Sequence, residues 1–164
     1  LITCILIFSL EGISEMIPNH MQQLYDLFSS RVGAHHDQGL ELQQINGNVV
    51  TLLLPFRPKH ANSIENGALH TTALATAIDS ACGFAVMLSL TEPSAIATVN
   101  LRIDHIHQPE PGQDMKVEAH CYQKSGDFAY VRAAVLSLDS LITYCNAIAI
   151  FKVGTPGPAL NSAL

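Results

Sequence analysis

The pattern of hydrophobic and polar positions predicts an amphipathic helix near the start of the sequence. Residues 18–33 carry apolar side chains at helical spacing, among them Leu24, Tyr25 and Phe28. The segment opens with a proline, which suits a first helical turn, and closes with Gly33, which suits a helix end. We therefore expect one helix that packs its apolar face on the rest of the molecule.

The next change of pattern predicts a hairpin. Residues 40–45 and 48–56 are predicted as short strands on either side of Asn46-Gly47, a pair typical of two-residue turns. Residues 57–67 then form a polar segment interrupted by proline and glycine, which predicts a loop.

A long apolar segment predicts a buried central helix. Residues 72–90 are mostly apolar or small, and Asp79 carries the one formal charge between Asn66 and Thr91. An isolated carboxylate among apolar residues is costly unless it is paired or protonated, and an Asp in mid-helix cannot act as a cap. Because such residues are often functional, Asp79 is the first candidate for chemistry.

Four strands with alternating polarity are predicted after this helix. In the first, Val99, Leu101 and Ile103 are expected to face inward, and residues 115–121 alternate in the same way. Short turns join the strands, so neighbours should be antiparallel. The order of elements predicts an α+β fold in which a mostly antiparallel sheet curls around one apolar helix. Its open edges favour the pairing of two copies.

Composition and charge narrow the class of protein. The 164 residues are 48% hydrophobic but only 13% charged, so we expect much of the surface to be covered by packing or association. The net charge of −6, without a run of Lys or Arg, argues against nucleic acid as a partner. Four scattered cysteines without CxxC spacing predict reduced thiols in a cytoplasmic protein.

No membrane segment is predicted. The N-terminal stretch LITCILIFSLEG is too short to span a bilayer, and no basic residue precedes it, so it is a poor signal peptide. It is expected to be an upstream extension, with Met16 as a plausible start, or a packed extra element. Asp79 argues against a span in the central helix. The predicted organisation is an N-terminal segment and helix at 1–33, one domain at 34–154 and a loose tail at 155–164.

Other catalytic or metal-binding patterns are weak. His105 and His107 share one side of a strand, but no third ligand has convincing spacing, so no metal is expected. Cys82 lies one turn from Asp79 among apolar residues and lacks a base. The sequence has no nucleophile elbow and no nucleotide-binding glycine motif, so no cofactor is expected. His70 lies at the entrance of the central helix, where local hydrogen bonding is its simplest role.

The segment NSIENGALHTTALATAID resembles the signature of the hot-dog-fold acyl-CoA thioesterases of the phenylacetate-pathway (PaaI) type, in the 4-hydroxybenzoyl-CoA thioesterase superfamily. That signature has an Asn, a Gly, a His-Gly-Gly and an Asp nine residues after the His. Gly67, His70 and Asp79 match it. The stretch TVNLRIDHIHQPEPGQDMKVEA is similar to the family's strand–Pro–Gly–strand segment, and the resemblance covers roughly residues 40–153.

Three positions depart from the family pattern, in two places. Thr71 and Thr72 follow His70 where the family has two glycines. Ile64 stands where the family has its Asn, so Asn62 or Asn66 would have to take that place.

The resemblance implies a hot-dog α+β fold that assembles as a homodimer or homotetramer with a shared active site. It implies an enzyme that hydrolyses acyl-CoA thioesters. Asp79 would be the general base or nucleophile, and the N–H of Thr71 would stabilise the oxyanion at the helix start. Asn62 would orient water or Asp79, and Thr98 would do so from the second subunit. His70 would fix the loop.

Substrate-binding residues are also implied. Gly67 lies in the approach to the helix, and Arg57, Lys59 and Arg102 are candidates for contacts with the CoA phosphates, although solvated surface charge is their simpler role. Two other functions stay open. One is hydration of an enoyl thioester, and the other is non-catalytic binding of acyl-CoA, which the loss of both glycines favours.

Overall fold

A six-stranded antiparallel sheet and one long helix form most of the fold. The computed structural model describes residues 17–61, 67 and 69–156, so the apolar N-terminal stretch, Asn62 and the end of the tail lie outside the described residues. The strands are β1 (Glu41–Asn46), β2 (Val49–Leu54), β3 (Ile96–His105), β4 (Met115–Ser125), β5 (Phe128–Leu136) and β6 (Thr143–Val153). The helices are α1 (Asn19–Arg31), α2 (Gly33–Gln38) and α3 (Thr71–Ser89), with a 3-10 turn at Pro58–His60.

The sheet confirms the predicted α+β arrangement. Its strands follow the order β1-β2-β4-β5-β6-β3, and each neighbouring pair is antiparallel. Helix α3 lies across one face and packs mainly on β2, β4 and β5. Strands β1 and β3 are the two edges, so β3 is hydrogen-bonded to β6 alone within the sheet.

Helix α3 is the core of the molecule because its side chains are small or apolar on nearly every side. Ala77, Ala81 and Ala85 are fully buried and allow close approach to the sheet, and the ring of Phe84 is fully buried with them. Tyr25 of α1 packs edge-on against Phe84, with ring centroids 5.2 Å apart. This cover protects the second half of α3 and leaves a stripe of its first half partly exposed.

The predicted first helix is interrupted. Helix α1 ends at Arg31, and Gly33 begins α2, so the prediction that Gly33 stops the helix is wrong. Val32 between them is extended, and its carbonyl accepts hydrogen bonds from the amides of His35 and His36. Helix α2 carries His35 into the core. Six residues are less than two helical turns, so periodicity did not indicate this helix.

The first hairpin turns one residue later than predicted. Asn46 pairs with Val49 across the two strands, so Gly47 and Asn48 form the turn. Gly47 has a φ of +58°, a left-handed conformation that glycine adopts without steric cost.

A β-bulge in β3 changes which of its residues face α3. Thr98 pairs with Phe151 of β6, but the next paired residue is Asn100, so Val99 is an extra residue. Val99 is 57% exposed, and the prediction that it faces inward is wrong. Alternation counted back from Leu101 would place Thr98 on the outer face. The inserted residue instead places Thr98 on the face that carries α3.

The other inward positions of these strands are confirmed. Leu101 and Ile103 are partly buried, and the alternate residues of β4 pack under α3. The buried β4 residues are Met115, Val117, Ala119 and Cys121.

By length and composition, α3 could cross a membrane. In the fold it is the central helix on the sheet, with most of its residues buried. This placement explains its apolar composition without a lipid environment.

Candidate active site

Asp79 and Thr98 form a hydrogen-bonded pair where the cover over α3 ends. The Thr98 hydroxyl donates to Asp79 Oδ1 at 2.8 Å. Asp79 is half-buried, and no donor among the described residues bonds its Oδ2. The sequence suggested a carboxylate isolated among apolar residues, but in the structure Asp79 has a hydrogen-bonding partner. It is oriented through one oxygen and leaves the other available for a proton or a substrate atom.

The pair lies within one chain. The bulge at Val99 turns the Thr98 side chain toward α3 of its own chain, and the expectation that Thr98 acts from a second subunit stays a prediction.

His70 caps α3 and leaves the Thr71 amide at the helix start. The Thr72 amide donates to His70 Nδ1 at 3.0 Å, and the Ala73 amide donates to the His70 carbonyl at 2.9 Å. These bonds satisfy two of the four amides that the first helical turn leaves without partners. The Thr71 amide has no acceptor among the residues that the structure describes. Together with the helix dipole, it forms a position suited to negative charge.

A cleft of about 320 Å³ opens in front of Thr71. One wall is the start of α3, and the other is the segment that ends β3 and follows it. The cleft is lined by His70, Thr71 and Leu74 on the helix side, and by His105, Ile106 and His107 on the strand side.

The three histidines use Nδ1 for bonds within the protein, which fixes what each neutral ring offers the cleft. His70 Nδ1 accepts from an amide, so its proton is on Nε2. His107 Nδ1 lies 2.9 Å from the Thr143 carbonyl, so Nδ1 is the donor there and Nε2 can accept. Burial raises the pKa of Cys145 to about 11, so its thiol stays protonated.

His105 completes the set. The protonated Cys145 thiol donates a hydrogen bond to His105 Nδ1 at 3.2 Å, which leaves an N–H at Nε2 of the neutral ring. The neutral cleft therefore presents two ring N–H donors and one ring acceptor. Within the described ranges, no group of three or more side chains is arranged to hold a metal ion.

Sequence reasoning treated His105 and His107 as scattered residues, but both line the cleft with His70. One signal could have found His105. It continues the inward phase of Leu101 and Ile103, and it pairs with buried Cys145 across β3 and β6. A histidine in the inward phase at the end of a strand is expected to face a cavity or a polar partner.

The candidate phosphate-binding residues lie in different places. The Arg57 guanidinium lies against Gly39 at the end of α2 and donates to the Asp37 carbonyl at 3.5 Å. Arg102 lies on the outer face of the sheet and pairs with Asp104 at 3.1 Å. Neither guanidinium faces the cleft.

Lys59 and Gly67 lie closer to the helix start. Lys59 is exposed in the 3-10 turn, and the carbonyl of the next residue, His60, accepts from the His70 amide at 2.8 Å. Gly67 has a φ of +60°, which residues with side chains rarely adopt. Asn62 lies outside the described residues, so its role stays a prediction.

The three cysteines in the described residues are buried thiols. Cys82, Cys121 and Cys145 are free and buried, in agreement with the predicted reduced state. Burial, followed by the negative charge of Asp79, raises the pKa of Cys82 well above its usual value. Cys82 is therefore no thiolate nucleophile at neutral pH.

Comparison with known proteins relates the part of the chain that carries this site to one family. Residues 66–143, just under half of the chain, match the model of the thioesterase superfamily. The match includes His70, Thr71, Asp79 and Thr98. This part of the chain is therefore similar to the thioesterase superfamily. No curated protein matches the sequence significantly.

Solved structures share the fold of this superfamily. A Pseudomonas aeruginosa protein is 25% identical with a TM-score of 0.71, over 80% of this chain and 98% of its own. The Escherichia coli PaaI protein from the phenylacetic acid degradation operon is 10% identical with a TM-score of 0.70, over 81% of this chain and 92% of its own. Thioesterase superfamily member 2 from Mus musculus is 18% identical with a TM-score of 0.70, over 85% of this chain and 100% of its own.

These matches confirm the hot-dog fold and the resemblance to PaaI-type proteins inferred from the segment before Asp79. The part of the chain that resembles the thioesterase superfamily contains both the Asp79–Thr98 pair and Thr71.

Proposed function

We propose that the protein hydrolyses acyl-CoA thioesters to a free acid and CoA. The observation that carries this proposal is the 2.8 Å hydrogen bond from Thr98 to Asp79, within a domain of the thioesterase superfamily. The hydroxyl fixes the direction of the carboxylate, and Oδ2 is left for chemistry. Asp79 is the one carboxylate of α3, and no thiol in the described residues competes with it as a nucleophile.

The reaction needs one base and one oxyanion donor. Asp79 takes a proton from water as the water oxygen attacks the thioester carbonyl, or it attacks the carbonyl itself and the resulting anhydride is hydrolysed. The Thr71 N–H stabilises the negative oxygen of the tetrahedral intermediate. The carbon–sulfur bond then breaks. When Asp79 acts as base, the CoA thiolate takes the proton that the Asp79 carboxyl group received from water, and when Asp79 acts as nucleophile, the thiolate takes a proton from the water that hydrolyses the anhydride.

One copy of the chain cannot supply both groups to the same carbonyl. Thr71 and Asp79 are eight residues apart, which is about 12 Å along a helix that rises 1.5 Å per residue. The reacting carbon must lie about 3 Å from the nucleophile and close to the oxyanion donor. We infer that Asp79 and Thr98 of one copy act with Thr71 and His70 of a second copy.

The edge strand β3 supports this shared site. Thr98 lies near the start of β3, and His105, which lines the cleft, lies at its end. Two-fold symmetry pairs identical edge strands antiparallel, so the start of one β3 lies beside the end of the other. A dimer through β3 therefore brings the Asp79–Thr98 pair of one copy toward the cleft of the other. The exposed Val99 bulge lies in that strand.

CoA contacts follow from the same arrangement. Of the three basic residues predicted to bind phosphate, Lys59 is the best placed, because its turn is hydrogen-bonded to the segment that enters α3. Arg57 and Arg102 are held by Asp37 and Asp104. Gly67 and Asn62 would shape the loop beside the thioester.

Non-catalytic binding of acyl-CoA is the second candidate. The observation that favours it is the bond from the Thr72 amide to His70 Nδ1. Among the described backbone amides at the start of α3, only that of Thr71 is then available to the oxyanion, and one donor stabilises it less than two. Hydration of an enoyl thioester has less support, because that reaction needs a histidine close to a carboxylate. His70 lies before the first turn of α3, more than two helical turns from Asp79.

The experiment is a panel of acyl-CoAs assayed for release of free thiol, with binding measured in parallel by calorimetry. The proposed function expects thiol release from at least one ester and saturation kinetics. Tight binding across the panel without release of thiol would establish the binding module instead. Loss of the enoyl absorbance without thiol release would establish hydration.

A further inference from the structure

The start of α3 offers a thioester oxygen one backbone donor where two adjacent amides could have served. The Thr71 amide has no acceptor among the described residues, but the neighbouring Thr72 amide donates to His70 Nδ1 at 3.0 Å. Oxyanions are stabilised best by donors whose positions are fixed before the reaction begins. A second donor at this cleft would therefore have to be a side chain, and that side chain would have to be held in place.

His105 is held in place by its neighbour across the sheet. It is paired with Cys145 of β6, so the two side chains lie on the same face, the one that carries α3. The buried Cys145 thiol donates to His105 Nδ1 at 3.2 Å, which fixes that edge of the ring against β6. Since His105 also lines the cleft, the opposite edge of the ring, with its Nε2–H, is directed into it.

The N–H groups of Thr71 and His105 approach the cleft from opposite walls. Thr71 belongs to the helix side and His105 to the strand side of a space of about 320 Å³, so a thioester group bound there lies close to both. The other two histidines are placed differently. The His70 ring is bonded to the helix start itself, on the same wall as Thr71, and His107 Nε2 is an acceptor because its Nδ1 donates to the Thr143 carbonyl.

We propose that His105 is a second oxyanion donor, whose Nε2–H bonds the thioester oxygen from the side opposite the Thr71 amide. This inference rests on the proposed function. As the carbonyl carbon becomes tetrahedral, its oxygen gains negative charge, and the two N–H groups share that charge while the His105 proton stays on Nε2. Cys145 is a positioning residue, because its hydrogen bond to Nδ1 selects the tautomer that carries the proton on Nε2. His105 thus replaces the donor that the Thr72 amide no longer supplies.

Substitutions of His105 separate the N–H donor from the shape of the ring. His105→Phe keeps a ring but has no donor, so kcat should fall about 100-fold while KM stays within about threefold. His105→Gln can place an amide N–H near the position of Nε2 and should keep kcat within about tenfold of the wild type. His120→Phe, at an exposed position on the outer face of the sheet, is the matched control and should not change kcat.

Two kinetic results would overturn the inference. One is a kcat of His105→Phe within about threefold of the wild type, and the other is an equal loss of kcat in His105→Phe and His105→Gln. His105→Leu, which also lacks a donor, replaces His105→Phe if that variant does not fold.

Nitrogen-15 NMR of histidine-labelled protein at pH 8 tests the tautomer directly. We expect the proton of His105 on Nε2 and none on Nδ1, both in the wild type and in Cys145→Ser, which keeps a hydroxyl donor. A wild-type His105 with its proton on Nδ1 would have no N–H to offer the cleft, and the inference would fall.

Infrared spectroscopy of a bound thioester separates this inference from the proposed function, because it needs no turnover. The probe is the acyl-CoA that binds most tightly in the panel, labelled with carbon-13 at its carbonyl and bound to Asp79→Asn. A donor to the carbonyl oxygen weakens the C=O bond, so the band should lie at lower frequency in Asp79→Asn than in the double variant Asp79→Asn/His105→Phe.

The outcomes differ for the two proposals. If no ester is hydrolysed by the wild type but the band moves as expected, the His105 donor stands and the hydrolase proposal falls. If esters are hydrolysed while His105→Phe changes neither the band nor kcat, the hydrolase stands and the His105 donor falls. If no ester of the panel binds, both fall.

Discussion

The hydroxyl of Thr98 directs one oxygen of the Asp79 carboxylate from 2.8 Å away, although the two residues belong to a strand and a helix. In the proposed reaction, Asp79 supplies the reacting group and Thr98 orients it. The two roles have different consequences when each residue is changed.

Asp79→Asn should lower thioester hydrolysis by at least about 100-fold, because a positioned base or nucleophile is lost. The amide is nearly isosteric and half-exposed, so the melting temperature should change little. Thiol release and thermal unfolding measure the two effects. Asp104→Asn, on the outer face of the sheet, is the matched control. Wild-type thiol release by Asp79→Asn would show that the catalytic assignment is wrong.

Thr98→Val should lower kcat about 10- to 100-fold with little effect on KM, because a hydrogen bond to a charged group is lost while shape is kept. Thr98→Ser retains the hydroxyl and should keep most of the activity. The comparison of kcat between these two variants is the measurement. Equal activity of Thr98→Val and Thr98→Ser would remove Thr98 from the mechanism.

Thr71→Pro should fold and lose roughly 10²–10³ in turnover, the usual effect of one oxyanion donor. Proline suits the first helical position, and His70 already has φ −68° and ψ 140°, the conformation preferred before proline. Thr71→Gly keeps the amide and should keep activity. It should raise turnover for bulky acyl groups, because the lost side chain leaves more space at the start of α3. A folded and fully active Thr71→Pro variant would contradict the backbone-donor role.

Mixing two inactive variants tests the shared site. Asp79→Asn and Thr71→Pro chains, unfolded together and refolded at equal amounts, should recover about one quarter of wild-type activity, since half of the dimers are mixed and each has one intact site. Each variant refolded alone is the control. No recovery from mixed dimers whose formation is shown by light scattering and mass spectrometry would place both groups in one chain.

Stability should fall as the pH is lowered from about 6.5 to about 4, in part because of His35. Burial, and then the charge of neighbouring His36, lowers the pKa of His35 to about 4, and the side chain is fully buried beside Tyr25. In this window His35 is protonated in the unfolded chain but stays neutral in the folded chain. The free energy of unfolding therefore falls by up to about 1.4 kcal/mol for each pH unit.

Urea unfolding at pH 6.5, 5.5 and 5 measures this slope. His35→Leu should flatten it relative to the wild type, and His20→Leu, at an exposed position of α1, should not. An unchanged slope in His35→Leu would assign the acid sensitivity to other groups.

The elements that depend on long periodic patterns were predictable from the sequence. The apolar run of α3, the alternation of β4 and the mid-helix position of Asp79 each rest on several residues, so single exceptions do not disturb them. Asp79 could be singled out because it is isolated in that apolar run, whereas its connection with His70 came from the resemblance of their nine-residue spacing to the thioesterase signature.

The errors concern features that depend on one residue or on tertiary packing. Val32 breaks a helix whose periodicity continues through it, and α2 forms because His35 packs between the rings of Tyr25 and Phe28. The cleft histidines come together only when the end of β3 meets the start of α3. No local pattern contains that contact.

The bulge at Val99 decides which face of the sheet the first residues of β3 occupy, whatever side chains they carry. Deleting Val99 would leave every candidate catalytic group in the chain and yet rotate the first part of β3 by half a turn, carrying the Thr98 hydroxyl to solvent. The position of the Thr98 hydroxyl thus depends on the number of residues between two backbone hydrogen bonds of β3. Comparisons of such proteins by side-chain identity alone would overlook that length, because an aligned Thr at this place is on the correct side of the sheet only when the extra residue follows it.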